Sequence, residues 1–201
     1  TSIRFLNIDK PLRKILITSS TPKEGKSLIN IIFAKTLADI GLKVLLIDAD
    51  MRKPQVHERL GLNNILGLSN LLVDKNNELS KTVQKVKGIK NLDILTSGRQ
   101  VPDTTRLLRS ERMKELITDF EKENYDYILF DPPPILGLSD ANLLSPLCDG
   151  TILIVSLENV NKKLPLESIN KIKKTSNLLG LISNGSSKSD QNNGSNSYAY
   201  E

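Results

Sequence analysis

The sequence predicts an α/β fold in which a parallel sheet carries helices on both faces. Two observations predict it. Short apolar runs, typical of buried strands, alternate with longer segments of helical periodicity along most of the chain. This alternation is typical of parallel strands joined by right-handed helical crossovers. Three of the apolar runs also lead into acidic residues or a Gly-Lys-Ser sequence, at the sheet edge where such folds bind ligands.

Six segments are predicted to be strands, because each is almost continuously apolar or alternates apolar and polar residues. They cover residues 14–18, 43–48, 92–96, 127–131, 151–156 and 178–183. Helices are predicted over residues 24–40, 55–60, 68–73, 105–124, 140–147 and 167–176. The helix over 105–124 depends on apolar residues at helical spacing, Gly41 and Gly61 mark helix ends, and Ser139 is a predicted N-cap. Residues 98–105 are predicted to be a loop, and the polar segment 76–88 has no clear pattern.

Length and composition predict one domain over residues 1–184 and a flexible tail over 185–201. The 201 residues are 25% charged and 38% hydrophobic, as expected for a globular protein. The tail contains ten Gly, Ser or Asn residues and one aliphatic residue, so it cannot bury enough surface to fold. Residues 1–7 resemble the end of a helix and lack a start Met, which suggests a domain cut from a longer protein.

Several classes of protein are disfavoured by the composition. No apolar run approaches the length of a membrane span, and no signal peptide is visible. The single Cys148 excludes an internal disulfide and fits a reducing cytosol. The net charge of +5 does not distinguish a polyphosphate ligand from a membrane surface or an acidic partner. The lysines around 162–174 are typical of a solvated helix face, and nothing indicates nucleic-acid binding.

The loop Thr18-Ser-Ser-Thr-Pro-Lys-Glu-Gly-Lys-Ser27 lies between the first strand and the first helix. A strand, a turn ending in Gly-Lys-Ser and a helix make up the phosphate-binding P-loop, whose backbone N–H groups hold anionic phosphate. Gly25 lets the backbone approach the phosphates. The Lys26 ammonium is predicted to reach the β- and γ-phosphates, and the Ser27 hydroxyl is predicted to ligate Mg²⁺.

Acidic residues end two further apolar strands, in Val44-Leu-Leu-Ile-Asp-Ala-Asp-Met-Arg52 and in Ile128-Leu-Phe-Asp-Pro-Pro-Pro134. Strand-end aspartates hold Mg²⁺ or its water ligands in nucleotide sites, so Asp48 and Asp131 are predicted metal ligands together with Ser27. Arg52 is predicted to neutralise phosphate charge, within the chain or across an interface, although a surface ion pair is an almost equal alternative.

The motifs Ser-Thr-Pro-Lys-Glu-Gly-Lys-Ser27, Leu-Leu-Ile-Asp-Ala-Asp-Met-Arg-Lys-Pro54 and Tyr-Asp-Tyr-Ile-Leu-Phe-Asp-Pro-Pro-Pro134 together resemble the bacterial tyrosine kinases (BY-kinases). These are the cytoplasmic domains of exopolysaccharide and capsule chain-length regulators. The resemblance runs from about residue 10 to residue 184 and implies a P-loop NTPase fold. It also implies Walker A, A′ and B motifs that use ATP and Mg²⁺. The implied nucleotide-binding residues are Thr21, Pro22, Lys23, Glu24, Gly25, Lys26, Ser27, Leu28 and Asn184.

The resemblance also implies an activity and a place in the cell. Family members transfer phosphate from ATP to C-terminal tyrosines of a neighbouring subunit and assemble as rings that assist polysaccharide export. The implied catalytic residues are Lys26, Asp48, Asp50 and Arg52, with one aspartate near Mg²⁺ and the other accepting the tyrosine proton. Which aspartate does which stays open. The implied location is the cytoplasmic face of the bacterial inner membrane, with a membrane-anchored adaptor segment in cis or in trans as partner.

Four features depart from the family pattern. Lys23 stands where a Gly is usual, and Pro132 replaces the usual Ser or Thr after Asp131. The oligomerisation helix that normally comes first is absent, except for a possible end at residues 1–5, and the tail tyrosines are few. Two alternatives therefore stay open: a switch ATPase of the partitioning and septum-placement type, and a non-catalytic ATP-binding regulator. Residues 18–20 lack the early P-loop lysine of the first alternative.

The predicted phosphate acceptors are Tyr198 and Tyr200, because they lie in a polar tail that a kinase can thread. A dozen tail residues span about 20 Å, which favours transfer to a neighbouring chain. Tyr125 and Tyr127 flank a strand, and Tyr127 is predicted to be a core residue, so neither is a predicted acceptor. The lone His57 is predicted to be structural or exposed rather than catalytic.

Overall fold

The computed structural model describes residues 12–157, 161 and 163–185. Within these residues the strands are β1 (Lys14–Ser19), β2 (Val44–Asp48), β3 (Gln84–Lys85), β4 (Leu92–Leu95), β5 (Tyr127–Asp131), β6 (Gly150–Ser156) and β7 (Leu178–Asn184). The helices are α1 (Lys26–Asp39), α2 (Val56–Leu60), α3 (Leu68–Val73), α4 (Leu79–Thr82), α5 (Thr104–Leu108), α6 (Glu111–Lys122), α7 (Asp140–Leu144) and α8 (Lys163–Thr175). A 3₁₀ turn, Ser145–Leu147, follows α7.

The seven strands of the described residues form one sheet in the order β3-β4-β2-β5-β1-β6-β7. All neighbours pair in parallel except β3, which runs antiparallel to β4 at one edge. The predicted α/β fold class is therefore confirmed. The exception, β3, is a two-residue strand within the segment for which the sequence showed no pattern.

Alternating side chains of the central strands enter two apolar layers, one on each face of the sheet. On one face, Leu45, Ile128 and Phe130 pack with residues of α3, α5 and α6. On the other face, Leu46 and Leu129 pack with residues of α1 and α2. Burial on both faces explains why these strands are almost continuously apolar in the sequence.

The predicted helix over 105–124 is wrong, because the chain breaks there into α5 and α6. Each helix has its own N-cap. The carboxylate of Asp103 accepts the backbone N–H of Arg106 at 2.9 Å, and the hydroxyl of Ser110 accepts that of Met113 at 3.3 Å. These caps satisfy backbone donors that a continuous helix would have used internally. The predicted loop over 98–105 consequently ends two residues earlier, at Asp103, because α5 starts at Thr104.

Two other helix predictions need smaller corrections. Ser139 precedes α7 but makes no side-chain capping bond. The α-helix ends at Leu144 instead of 147, because Pro146 has no N–H to continue it and the chain tightens into the 3₁₀ turn. The last helix starts at Lys163, four residues before the predicted start. The helix predicted over residues 1–7 lies outside the described residues.

The topology brings the three sequence motifs to one edge of the sheet. β1 lies between β5 and β6, and β5 lies between β1 and β2. Asp48 and Asp131 are directly opposite each other in neighbouring parallel strands. The P-loop leaves the same carboxyl edge at the end of β1. None of the described helices is long and apolar enough to cross a membrane.

Candidate active site

The P-loop has a backbone that requires unusual dihedral angles. Lys23 has a φ of 68° and Gly25 a φ of 83°, both in the left-handed region. Glycine adopts this region without strain, which fits the expectation that position 23 usually holds Gly. At Gly25, a Cβ atom would overlap the side-chain nitrogen of Asn184. This position therefore needs glycine both for its φ and for the close approach of Asn184.

Glu24 holds the P-loop in place through hydrogen bonds. Its buried carboxylate accepts the backbone N–H of Thr21 at 2.6 Å and that of Ser156, at the end of β6, at 3.3 Å. The side chain of Asn184 donates to the carbonyl oxygen of Glu24 at 3.0 Å. The loop is thus tied to β6 and β7. Sequence reasoning assigned Glu24 and Asn184 to nucleotide binding. It did not predict the hydrogen bonds of Glu24 with Ser156 and Asn184, because both residues lie more than 130 positions from Glu24 in the chain.

Lys26 and Asp131 form an ion pair inside the site. The Lys26 ammonium contacts Oδ1 of Asp131 and also donates to the Ser27 hydroxyl at 3.2 Å. Both side chains are buried, and Asp131 is completely so. The amide of Asn30 donates to the same Oδ1 at 2.9 Å, whereas Oδ2 of Asp131 has no hydrogen-bond partner among the described residues.

Asp48 is held by backbone groups. Its Oδ1 accepts the N–H of Asp50 at 3.2 Å, and its Oδ2 accepts those of Gln55 at 3.2 Å and Val56 at 3.1 Å, at the start of α2. Its side chain is completely buried. Burial, followed by the neighbouring charge of Asp131, raises the pKa of Asp48 to about 7.

Asp50 has a different environment, although it lies only two residues further on. Its Oδ1 accepts the N–H of Lys53 at 3.0 Å, and its side chain is 8% exposed. Burial raises the pKa of Asp50 above its ordinary value, and the charge of Lys26 opposes that rise. Asp50 is thus a carboxylate near the P-loop lysine, with more affinity for a proton than in water.

Arg52 pairs with a buried carboxylate. Its Nε donates to Oδ2 of Asp140 at 2.9 Å, and its Nη2 donates to Oδ1 at 3.3 Å. The hydroxyls of Thr104 and Thr105 donate to the same carboxylate at 3.2 and 3.4 Å. The hydrogen bond to Asp140 raises the pKa of Arg52. Arg52 also lines an open cleft of about 460 Å³ with Met51, Gln100, Val101, Pro102 and Thr104.

The comparisons with known proteins agree with this geometry. The chain matches the AAA domain family over residues 13–179. It is 40% identical over 186 residues to the tyrosine-protein kinase YwqD of Bacillus subtilis (strain 168), covering 92% of this chain and 77% of YwqD. The chain belongs to the bacterial tyrosine kinase family. Some longer curated tyrosine kinases, such as etk of Escherichia coli (strain K12), align with it over only about a quarter of their own length.

Solved structures favour the kinase over the septum-placement ATPase, which the sequence left open as an alternative. The kinase domain of the Escherichia coli tyrosine kinase ETK has a TM-score of 0.86 at 30% identity, covering all of this chain and 76% of that one. The MinD cell division protein of Aquifex aeolicus has a TM-score of 0.69 at 26% identity, with 90% and 73% coverage. The predicted resemblance to BY-kinases is confirmed, and the septum-placement ATPase is not favoured.

The other residues singled out in this kinase lie as follows. Tyr125 and Tyr127 are buried, and the Tyr125 hydroxyl donates to Asp93 at 2.9 Å. His57 is half-buried, and its Nδ1 has no partner among the described residues. Thr21 is half-buried, whereas Pro22, Lys23 and Leu28 are exposed. Tyr198 and Tyr200 lie outside the described residues.

Sequence reasoning missed two side chains of this kinase site, Asn30 and Asp140. Asn30 follows Lys26 by one helical turn, so a polar residue at that spacing between apolar neighbours was the available signal. Asp140 was predicted to start a helix and was given no role in the site. Its pairing with Arg52 depends on how α7 packs near α5, which no local pattern reports.

Proposed function

We propose that this chain is an ATP-dependent protein-tyrosine kinase that phosphorylates Tyr198 and Tyr200 of a neighbouring copy. The process it would regulate is exopolysaccharide or capsule polymerisation and export. The observation that supports this best is the position of Lys26. Its ammonium lies at the carboxyl edge of the sheet among Asp48, Asp50 and Asp131, in a chain of the bacterial tyrosine kinase family.

The P-loop would bind the phosphates of ATP. The left-handed turns at Lys23 and Gly25 direct the loop into α1, whose N-terminal N–H groups favour anions. Lys26 would exchange its contact with Asp131 for the β- and γ-phosphates. Pro22, Lys23 and Leu28 are exposed on this loop and the first turn of α1, and Asn184 contacts the loop at Glu24, so all four are proposed nucleotide contacts.

Ser27, Asp48 and Asp131 are a suitable oxygen donor set for Mg²⁺. Oδ2 of Asp131 is buried without a partner, and the Ser27 hydroxyl already contacts the lysine that would turn to the phosphates. Among the described residues, no group of three or more His, Cys, Asp or Glu side chains is arranged to hold a metal. Mg²⁺ in nucleotide sites uses one or two carboxylates and completes its shell with phosphate and water. When bound, it would neutralise charge on the phosphates.

Asp50 is the better candidate for the base. Both oxygens of Asp48 accept backbone N–H groups and its side chain is fully buried, so Asp48 is suited to a fixed, water-mediated metal contact. Asp50 is also buried, but its side chain keeps 8% of its surface exposed whereas that of Asp48 keeps none, and burial raises the pKa of Asp50. The tyrosine oxygen would form its bond to the γ-phosphorus as the bond to ADP breaks, and its proton would pass to Asp50.

The cleft beside Arg52 gives an acceptor segment access to the site, since Arg52 and Met51 line it and directly follow Asp50 in the chain. The guanidinium is held by Asp140 and the Arg52 side chain is 37% exposed, so Arg52 is accessible to a phosphate or to an acidic segment. The proposed partners are ATP, other subunits of a ring, and a membrane-anchored adaptor segment in cis or in trans. The proposed location is the cytoplasmic face of the bacterial inner membrane.

Transfer between chains has to be tested directly. The sequence-based argument that the span of the tail favours a neighbouring chain does not hold, because Asn184 contacts the P-loop and Gly185 follows it, so the tail begins beside its own site. The experiment mixes a Lys26→Met chain, inactive but with its tyrosines, with an active chain carrying Tyr198→Phe and Tyr200→Phe. Mass spectrometry after addition of ATP and Mg²⁺ then locates phosphotyrosine. We expect label on the Lys26→Met chain, at a rate that increases with total protein concentration.

Two controls make the result decisive. Circular dichroism shows whether the Lys26→Met chain is folded. A Tyr125→Phe variant of the acceptor should be labelled as well as its parent, because Tyr125 is buried and bonded to Asp93. An unlabelled acceptor, at concentrations where the chains associate, would contradict transfer in trans. A wild-type chain that makes no phosphotyrosine at all would contradict the kinase proposal.

A further inference from the structure

A buried asparagine lies beneath the P-loop, one turn into α1. Asn30 follows Lys26 by four residues, so the two side chains lie on the same face of the helix. The side chain of Asn30 is completely buried. A buried polar group is unfavourable unless it is hydrogen-bonded. The amide oxygen of Asn30 has no partner among the described residues, so its amide nitrogen makes the side-chain hydrogen bonds that show what it contributes.

The amide nitrogen of Asn30 faces three oxygen atoms. It lies 2.9 Å from Oδ1 of Asp131, 3.2 Å from the carbonyl oxygen of Ile17 in β1 and 3.2 Å from that of Lys26. An amide nitrogen carries two donor hydrogens, whereas the amide oxygen only accepts. Turning the amide over would place its oxygen against three acceptors. The surroundings therefore fix the N–H group toward Asp131.

The two oxygen atoms of Asp131 have very different surroundings. Oδ1 accepts from both Lys26 and Asn30, whereas Oδ2 is buried with no partner among the described residues. Two donors on one oxygen restrict the rotation of the carboxylate. The second oxygen is left without a protein donor, on the strand end that faces Asp48 across the sheet.

We infer that Asn30 is a positioning residue that keeps the Asp131 carboxylate oriented for a metal ion, an inference that rests on the proposed function. Lys26 must leave Oδ1 when it turns to the phosphates of a nucleotide. Asn30 then remains as the donor on that oxygen. Its contacts with Ile17 and with the α1 backbone keep it in place. Hydrogen bonds of this kind orient metal ligands and tune their affinity.

The test compares nucleotide affinity with and without Mg²⁺ in the full chain. Asn30→Leu keeps a similar volume and removes the donor, and Asn30→Ala removes the donor without adding bulk or charge. Affinity for a fluorescent ADP analogue is measured in Mg²⁺ and again in EDTA. We expect the gain in affinity that Mg²⁺ gives the wild type to fall about 10- to 100-fold in both variants. Affinity in EDTA should stay unchanged, because the P-loop backbone is intact.

Thr151→Val is the matched control. Thr151 is also completely buried, and its hydroxyl bonds to that of Ser176 at 3.1 Å, at the start of β6 and away from the P-loop. Its loss should lower stability without changing the effect of Mg²⁺ on nucleotide affinity. This control separates a general loss of packing from a change in the Asp131 carboxylate.

The outcomes distinguish the inference from the proposal beneath it. If Mg²⁺ does not raise the nucleotide affinity of the wild type, the proposed function fails. If it does, and the Asn30 variants keep the full gain or lose affinity equally in EDTA, the positioning role is wrong. Should Asn30→Leu fail to fold, Asn30→Ala alone still decides the test, since that change removes the donor and requires no space.

Discussion

Gly25→Ala measures how far the P-loop depends on close backbone packing. At a φ of 83°, a residue with a Cβ costs about 1–2 kcal/mol relative to glycine, and alanine's smaller unfolded-state entropy offsets about 0.4–1 kcal/mol of that. The new Cβ also overlaps the Asn184 side chain. Displacing Asn184 breaks its 3.0 Å bond to Glu24, at a further cost of about 0.5–1.5 kcal/mol. We expect a total loss of about 0.5–3 kcal/mol in the free energy of unfolding.

Gly41→Ala separates the two contributions. Gly41 has a φ of 91°, in the same region, but nothing lies within 4 Å of a Cβ built there. Its substitution therefore measures the dihedral cost alone. The difference between the two variants, about 1 kcal/mol, belongs to the displaced hydrogen bond of Asn184. In an Asn184→Ala background this difference should disappear, because the side chain that the new Cβ meets is gone.

The assay is urea unfolding followed by circular dichroism, combined with binding of a fluorescent ADP analogue. Gly25→Ala should weaken nucleotide binding, since the loop backbone must shift, whereas Gly41→Ala should bind like the wild type. Equal losses of stability in the two glycine variants, or unchanged binding by Gly25→Ala, would refute this explanation of the loop. A persistent difference after Asn184→Ala would show that another contact is responsible.

Three further predictions concern charge. Lys26→Met should abolish phosphotyrosine formation and lower the free energy of unfolding by about 3–5 kcal/mol, because Asp131 stays buried without its cation; equal urea midpoints would contradict this. The raised pKa of Asp48, about 7, means that the folded state binds a proton that the unfolded state has released. Stability should therefore fall as pH rises from about 4 to 7, by up to about 1.4 kcal/mol per unit, and less steeply in Asp48→Asn. Arg52→Ala should cost about 1–3 kcal/mol of stability through Asp140, and kinase assays on the folded variant test its catalytic role.

The central sheet was predictable because each buried strand is apolar on both faces. Tyr127–Asp131 has the predicted bounds, and Asp48 lies opposite Asp131, as the rule for parallel strand ends requires. The break at Ser110 was not predicted, since the apolar spacing continues across it and only the capping bond marks the new helix. The strand Gln84–Lys85 is too short to produce a periodic pattern.

The site was predictable in its residue types and less so in its contacts. The P-loop and strand-end acids follow from motif chemistry, because a phosphate ligand needs those groups at those spacings. Three contacts of the site join residues that lie far apart in the sequence: Glu24 with Ser156, Asn30 with Asp131, and Arg52 with Asp140. Such contacts depend on the packed fold, so local patterns do not report them.

The charges of the site predict that Mg²⁺ binding depends on nucleotide binding. Asp48 and Asp131 are neighbours, and Lys26 compensates Asp131 directly. A nucleotide would draw Lys26 toward its phosphates and leave the acids without that cation. Without a nucleotide, the ammonium occupies the position beside Asp131 and opposes a divalent ion by like-charge repulsion. We therefore expect Mg²⁺ to bind weakly to the wild-type chain until a nucleotide is present.

Lys26→Met gives this argument a test whose sign is unusual, because the variant should gain a property. With the ammonium removed, the acids face a divalent ion without competition. Millimolar Mg²⁺ should raise the melting temperature of nucleotide-free Lys26→Met more than that of the wild type, since a ligand that binds the folded state stabilises it. Asp131→Asn added to Lys26→Met should remove the effect, and NaCl of equal ionic strength controls for screening. Equal shifts in wild type and Lys26→Met would show that Lys26 does not oppose Mg²⁺ binding at these acids.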